Sequence, residues 1–224
     1  YNDKLAADLG IRYDYNFIDA QKYYITSRWE ERGYNEDFND FVVNDLGTQL
    51  LTNPTFTYHN ISLSAGIIYN INKNNNLTLA YGLSSRPPNA SELFSDGLHH
   101  SAARIELGDL RLTKELSNRV GLSYQLENNK INLNIDAFSN QINDFIYLKP
   151  TGTQSTIRGA FPVWEYFKTN AFLAGIDTSI DYQFTESWSL NSSLSYVYGQ
   201  NTEEDIPLID IPAFKLNNAL NYKL

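Results

Sequence analysis

The feature that most constrains this chain is a two-residue period in side-chain polarity that recurs along almost its whole length. Leu5, Ala7, Leu9, Ile11, Tyr13 and Tyr15 alternate with Ala6, Asp8, Gly10, Arg12 and Asp14. Successive side chains of an extended strand point to opposite faces, so this spacing gives a strand with one apolar and one polar face. The same alternation runs from Ile61 to Ile71, Leu77 to Ser84, Val120 to Leu126, Ile131 to Ala137, Ile176 to Phe184, Trp188 to Tyr196 and Phe214 to Leu224. Eight strands are legible, and helical periodicity is absent throughout.

The connections alternate as well. Asn72–Asn76, Glu127–Lys130 and Thr185–Ser187 are polar turns of hairpin length. Between them lie long segments, Asn16–His59, Arg86–Arg111, Lys149–Glu165 and Gly199–Pro212, of which Asn16–His59 is long enough to hold a further hairpin. Short turns at one end and long loops at the other are the asymmetry of an up-and-down transmembrane barrel.

Hydropathy does not oppose that reading. The chain has no run of about 20 apolar residues of the kind a helical span needs, and its mean hydropathy is −0.41. A transmembrane strand needs only about 9–11 alternating residues, whose average is near neutral. The polar face is Ser, Gly, Asn, Asp and Gln, small groups suited to a hydrated lumen; a strand face in bulk water carries more Lys and Glu. Tyr13, Tyr15, Tyr69, Tyr81, Tyr124, Tyr182, Phe184, Trp188, Tyr196 and Tyr222 lie towards strand ends, where interfacial aromatic girdles form. A net charge of −9 argues against a nucleic-acid partner, and the absence of cysteine removes disulfides, thiolate metal sites and cysteine nucleophiles.

No Gly-rich phosphate loop, HExxH helix or nucleophile elbow is present, so no catalytic residue is assigned and enzymatic activity is not expected. The richest segment is Arg86–Arg111. Within it His99 and His100 stand side by side, near Asp96 and Glu106. Imidazole with carboxylate suits borderline divalent cations such as zinc, which makes His99 and His100 candidate metal ligands and all four residues candidate ligand-binding groups. The competing reading is a solvated polar loop.

Four short patterns give a resemblance. Ser85-Arg86-Pro87-Pro88-Asn89 followed by Glu92-Leu93-Phe94 resembles the strand-end motif of TonB-dependent outer-membrane receptors. Gly108-Asp109-Leu110, with Leu112, Glu115, Ser117 and Asn118, is similar to that family's re-entry signature. Tyr166-Phe167 with Thr169-Asn170-Ala171 and Gly175-Ile176-Asp177, then Pro207-Leu208 and Ile211-Pro212, resemble two more. All four occur in order across about Leu5 to Leu224, and Arg86, Pro87, Glu92, Leu93, Gly108 and Glu115 carry the motif positions. The spacing of Glu92-Leu93-Phe94, Gly97, His99, Glu106 and Gly108-Asp109 is most similar to zinc-uptake receptors and their relatives.

The resemblance implies an all-β fold: an antiparallel up-and-down transmembrane β-barrel segment of about eight strands, from a larger barrel of the twenty-two-stranded type. Residues 1–224 would be part of that barrel, with the plug domain and remaining strands absent. It implies a bacterial outer-membrane receptor that takes up a scarce ligand (a metal ion, metal chelate or similar), with energy from the TonB complex acting through the missing plug. Lipid, TonB and the small cargo are the implied partners. No resident cofactor is implied, zinc or another metal entering only as cargo. Two alternatives remain open from the residues alone. One is a complete eight-stranded barrel with a structural or adhesive role, which requires Leu5–Tyr15 to pair with Phe214–Leu224. The other is an outer-membrane lipase or acyltransferase, which requires a Ser or His with an orienting carboxylate at the lumen rim.

Overall fold

The computed structural model describes residues 4–223. Leu224, assigned to the last alternating segment, lies outside them. The elements in chain order are β1 (Leu5–Asp19), β2 (Lys22–Ile25), α1 (Thr26–Glu31), α2 (Tyr34–Asp37), a 3-10 turn (Asn39–Phe41), β3 (Val42–Asp45), β4 (Gln49–Thr52), β5 (Thr55–Asn72), β6 (Asn75–Arg86), α3 (Ala90–Phe94), β7 (Asp96–His99), β8 (Arg104–Leu107), β9 (Glu115–Glu127), β10 (Ile131–Thr156), β11 (Gly159–Gln183), β12 (Trp188–Asn201), β13 (Ile206–Pro207) and β14 (Lys215–Tyr222).

The eight alternating segments correspond to β1, β5, β6, β9, β10, β11, β12 and β14, each antiparallel to the next in that order. Register turns the sequence alternation into two continuous surfaces. One row across the sheet reads Leu5, Tyr69, Leu77, Tyr124, Ile135, Thr178, Leu194, Leu216. An opposite-face row reads Ile68, Thr78, Ser123, Asp136, Asp177, Ser195, Lys215. A one-residue slip of any strand would interchange the faces, so the pattern fixes the register.

Among the described residues nothing packs upon the apolar face. Leu9 is 87% and Ile11 79% exposed, an arrangement that water penalises and hydrocarbon does not. Tyr182 and Phe184, and Trp188 and Tyr222, meet beside the short turns with ring centroids 4.7 and 4.8 Å apart.

Several expectations need correction. The eight strands do not close on themselves: among the described residues β1 pairs with β5 and β14 with β12, so the complete eight-stranded barrel is ruled out as the structure of this chain. Lys149–Glu165 is not a loop. β10 and β11 run on for 26 and 25 residues as one hairpin, turning at Ile157–Arg158. The alternation lost this because β10 bulges between Ile142 and Phe145, with Asp144 at φ +52°, and again between Pro150 and Gly152. Each bulge resets the phase of the period. Pro150 is tolerated because β9 pairs β10 only as far as Asn143, leaving an open edge above it. β5 begins at Thr55, so His59 is a strand residue. Asn16–His59 does contain a further hairpin, β3–β4, in a sheet of order β2-β4-β3. The three helices have 6, 4 and 5 residues, too short to leave a period.

Candidate functional site at the barrel mouth

The long connections fold together into a cap over one end of the sheet. Residues 20–54 build a small core around Trp29 and Tyr34, both 1% exposed, with Tyr24 and Leu50. The rings of Tyr24 and Tyr34 each lie 5.1 Å from that of Trp29, and Phe38 and Phe41 extend the stack. Such pairs contribute about 0.5–1.5 kcal/mol each beyond area burial. The core is shared: Leu110, from the β8–β9 connection, completes it.

Polar contacts tie the two loops more firmly. The Tyr34 hydroxyl donates to Asp109 Oδ1 at 3.0 Å and accepts from Leu110 N at 3.1 Å and Arg32 Nη1 at 2.9 Å. Burial pushes the Tyr34 phenol up to about 12, Arg32 opposing and Asp109 reinforcing the rise. Arg111 binds Asp37 at 2.5 Å and lies over the Tyr34 ring, while Arg28 pairs with Asp96. Lys22 donates to the carbonyl of Phe94; burial draws its ammonium below the usual lysine range, with Asp96 opposing.

The motif residues form a clasp beneath this cap. Arg86, the last residue of β6, holds both oxygens of Glu92 at 3.1 and 3.0 Å and Glu115 Oε2 at 2.7 Å. Glu115 Oε1 accepts the backbone N–H of Ile146 at 2.6 Å, tying β9 to the bulged stretch of β10. Asn89 caps α3: its side chain accepts from Glu92 N, and Glu92 Oε2 accepts from Asn89 N, a reciprocal capping box. Pro88 and Leu93 are buried at its base. Gly108 is required by close approach, because a Cβ there would lie 2.6 Å from the carbonyl oxygen of Glu92. Arg86, Glu92, Leu93, Gly108 and Glu115 thus converge. Pro87, adjacent in the chain, ends β6, for lack of a ladder N–H.

From this clasp the chain crosses β10. β7 and β8 form a hairpin, and β8 joins the free edge of β11 in parallel, Ile105–Leu107 against Val163–Glu165. Arg104 stacks 4.7 Å from the Trp164 ring centroid and binds Glu106 at 2.7 Å. On the other side, residues 202–213 fold back over the polar face. Asn201 drives the turn, its side chain accepting from the N–H groups of Glu203 and Glu204 at 3.0 and 3.1 Å. Leu208 and Ile211 then approach Gly199 so closely that a Cβ would displace them. Between these loops and β10–β12 lies a mostly apolar cavity of about 550 Å³, bordered by Arg104, Tyr147, Trp164, Leu208, Asp210 and Ile211.

The predicted ligand-binding residues do not meet at one point. His99 Nδ1 lies 3.8 Å from Glu106 Oε1, but Glu106 is already committed to Arg104 and Asp96 to Arg28. His99, the last residue of β7, and His100, on the turn that follows, are both exposed. Among the described residues no group of three or more His, Asp or Glu side chains is arranged to hold a metal ion. Of the cavity residues, Leu208 and Ile211 belong to a pattern recognised in the sequence, but Arg104 and Trp164 were not singled out, nor were Arg32 and Tyr34; the density of aromatics between Tyr23 and Phe41 was the available signal for the cap.

A family model described as TonB dependent receptor-like, beta-barrel matches residues 1–224. The chain belongs to this family. No curated protein sequence matches it. Its fold is similar to that of three solved structures. The copper transporter OprC has a TM-score of 0.73 at 18% identity, over 98% of this chain and 30% of that one. The Serratia marcescens hemophore receptor HasR, solved with its hemophore HasA and heme, has 0.67 at 14%, over 100% and 40%. The ferric yersiniabactin uptake receptor FyuA from Yersinia pestis has 0.62 at 12%, over 99% and 29%. The chain therefore spans about 30–40% of the length of these receptors. Membership in this receptor family gives the two surfaces of the sheet their solvents: the apolar rows face lipid and the polar rows the lumen.

Proposed function

We propose that this chain is the part of an outer-membrane uptake receptor that receives a metal-bearing ligand with an organic shell, a metal chelate or similar, for energised import through the TonB system. The cavity supports this reading most directly. It is of small-molecule size, mostly apolar, and supplied with one cation, Arg104, and one carboxylate, Asp210. Organic surface is what such walls bind, and a bare ion would gain nothing from them. Arg104 is held rigid between Glu106 and Trp164, so its remaining N–H groups are presented without a large loss of side-chain entropy. Outer-membrane placement follows from the family and fits the lipid-facing rows. Energy coupling rests on the family resemblance, through a plug outside this chain.

A bare divalent cation bound by His99 and His100 is the second reading, favoured by their exposure beside Glu106. Titrating the purified whole receptor with zinc, haem and ferric chelates separates the two. The proposal expects chelate or haem binding that weakens at least tenfold on Trp164→Ala with Arg104→Ala. Zinc binding lost on His99→Ala and His100→Ala, with no chelate bound, would replace it with the second reading.

A further inference from the structure

The lipid-facing rows carry information about the membrane as well as the fold. On the outward face of β1, Leu5, Ala7, Leu9, Ile11, Tyr13, Tyr15 and Phe17 include no charge, and the outward positions of β5, β6 and β9 in register with them include none. The lower limit of this band is the row of Leu5, Tyr69, Leu77 and Tyr124, beside the short turns. Ten residues higher is the row of Tyr15 and His59. That step is about 34 Å along the strand, and about 26 Å along the barrel axis at a ~40° tilt, close to the ~25 Å height of an outer-membrane apolar band. The Tyr15–His59 row is therefore at the external headgroup level.

At that level the polar groups are assembled. The Tyr13 hydroxyl lies 2.7 Å from His59 Nδ1, their rings stacked with centroids 6.1 Å apart, and the Tyr15 ring meets His59 edge-on at 5.5 Å. With Tyr13 donating, the imidazole carries its proton on Nε2. β6 leaves the sheet at Arg86, and Lys114, just before β9, reaches across the gap to donate to the His59 carbonyl at 2.9 Å. One of its three ammonium protons is used there, and two remain for another acceptor. Lys114 is exposed, as are Tyr13 and Tyr15 at 59% and 58%.

We propose that Tyr13, Tyr15, His59 and Lys114 form an outward-facing site for the phosphate group of an outer-leaflet lipid. The cation selects an anion, the His59 Nε2–H and Tyr15 hydroxyl add donors, and the apolar rows directly below take the acyl chains. A strand paired to the free edge of β1 would lie in the wall, and a plug would lie inside the lumen, so neither would cover this face. The inference requires the membrane orientation but not the cargo reading, and cargo affinity is its internal control.

The test is native mass spectrometry of the purified whole receptor titrated with diphosphorylated lipid A and with its dephosphorylated counterpart. The site predicts a phosphate-dependent bound lipid whose affinity falls about fivefold for Lys114→Gln, falls further when His59→Ala is added, and is restored by Lys114→Arg. Lys73→Gln, at the opposite short turn, leaves it unchanged, and all variants keep cargo affinity and melting temperature. Equal binding of the two lipids, an unchanged affinity for Lys114→Gln, or an equal loss for Lys73→Gln would overturn the proposal.

Discussion

The transmembrane sheet and the cap are made by one chain in opposite ways. In the sheet the large apolar side chains point away from the protein: Leu9, Ile11, Leu79 and Leu122 are all exposed, and cohesion comes from continuous backbone ladders. In the cap they point inward. Trp29, Tyr34, Leu93 and Leu110 are almost wholly buried, and charged pairs such as Arg86 with Glu92 and Glu115 fasten the pieces. The difference teaches that the boundary between the two solvents is written in the sequence as a change of rule. Period-two patterning serves hydrocarbon, and aromatic clustering between distant residues serves water.

This contrast can be broken deliberately. Trp29→Ala removes the centre of the cap core, and large-to-small changes at such buried aromatics cost about 3–5 kcal/mol. Near-UV circular dichroism and fast amide exchange confined to residues 20–54 should report it, with the barrel's far-UV signal intact. Arg86→Ala removes the guanidinium, itself 44% exposed, from the buried carboxyl groups of Glu92 and Glu115, a loss of about 1.5–3 kcal/mol; exchange should then spread through residues 88–112, with barrel rows again protected. If either change melts cap and sheet together, the two regions are not separable.

On the sheet side, Leu63→Lys, on the central lipid-facing row of Ile11, Leu63 and Leu83, should cost about 2–4 kcal/mol, whereas the lumen-facing neighbour Ser64→Lys should be nearly neutral towards lipid. Unfolding from liposomes measures the difference. Equal costs would deny the assignment of faces.

Alkaline pH offers a smaller and more local probe. Tyr34 has its folded pKa raised to about 12 from the ordinary 10, chiefly by burial. Between those values the folded state holds a proton that the unfolded state has released, so stability is complete below pH 10 and declines as pH rises towards 12. The loss amounts to about 2–3 kcal/mol. Tyrosinate absorbance and near-UV dichroism should change together over that window, and Tyr34→Phe should remove this contribution to the decline.

How far the sequence led depended on range. The eight lipid-facing strands and three tight turns were legible because the period is local and the membrane enforces it residue by residue. The upper hairpin was not, since the bulge at Asp144 and another beside Pro150 each reset the phase and mimic a loop. For the mouth, Arg86, Glu92, Leu93, Gly108 and Glu115 were recognisable as a motif, but their role as a clasp needed coordinates. Asp96 looked available as a ligand because its partner, Arg28, lies 68 residues away in a different loop. Arg104 and Trp164 had no local signal at all, for β8 reaches β11 only by crossing β10.

The central claim, that alternate residues of the same strand face lipid and lumen, is open to one direct measurement. The chain has no native cysteine, so single cysteines can be introduced from Val120 to Leu126 in the whole receptor, spin-labelled, and compared for collision with oxygen and with a water-soluble nickel chelate. The structure predicts strict alternation within the apolar band, with positions 120, 122 and 124 oxygen-accessible and 121 and 123 not. A uniform profile, or one repeating every three to four residues, would contradict it.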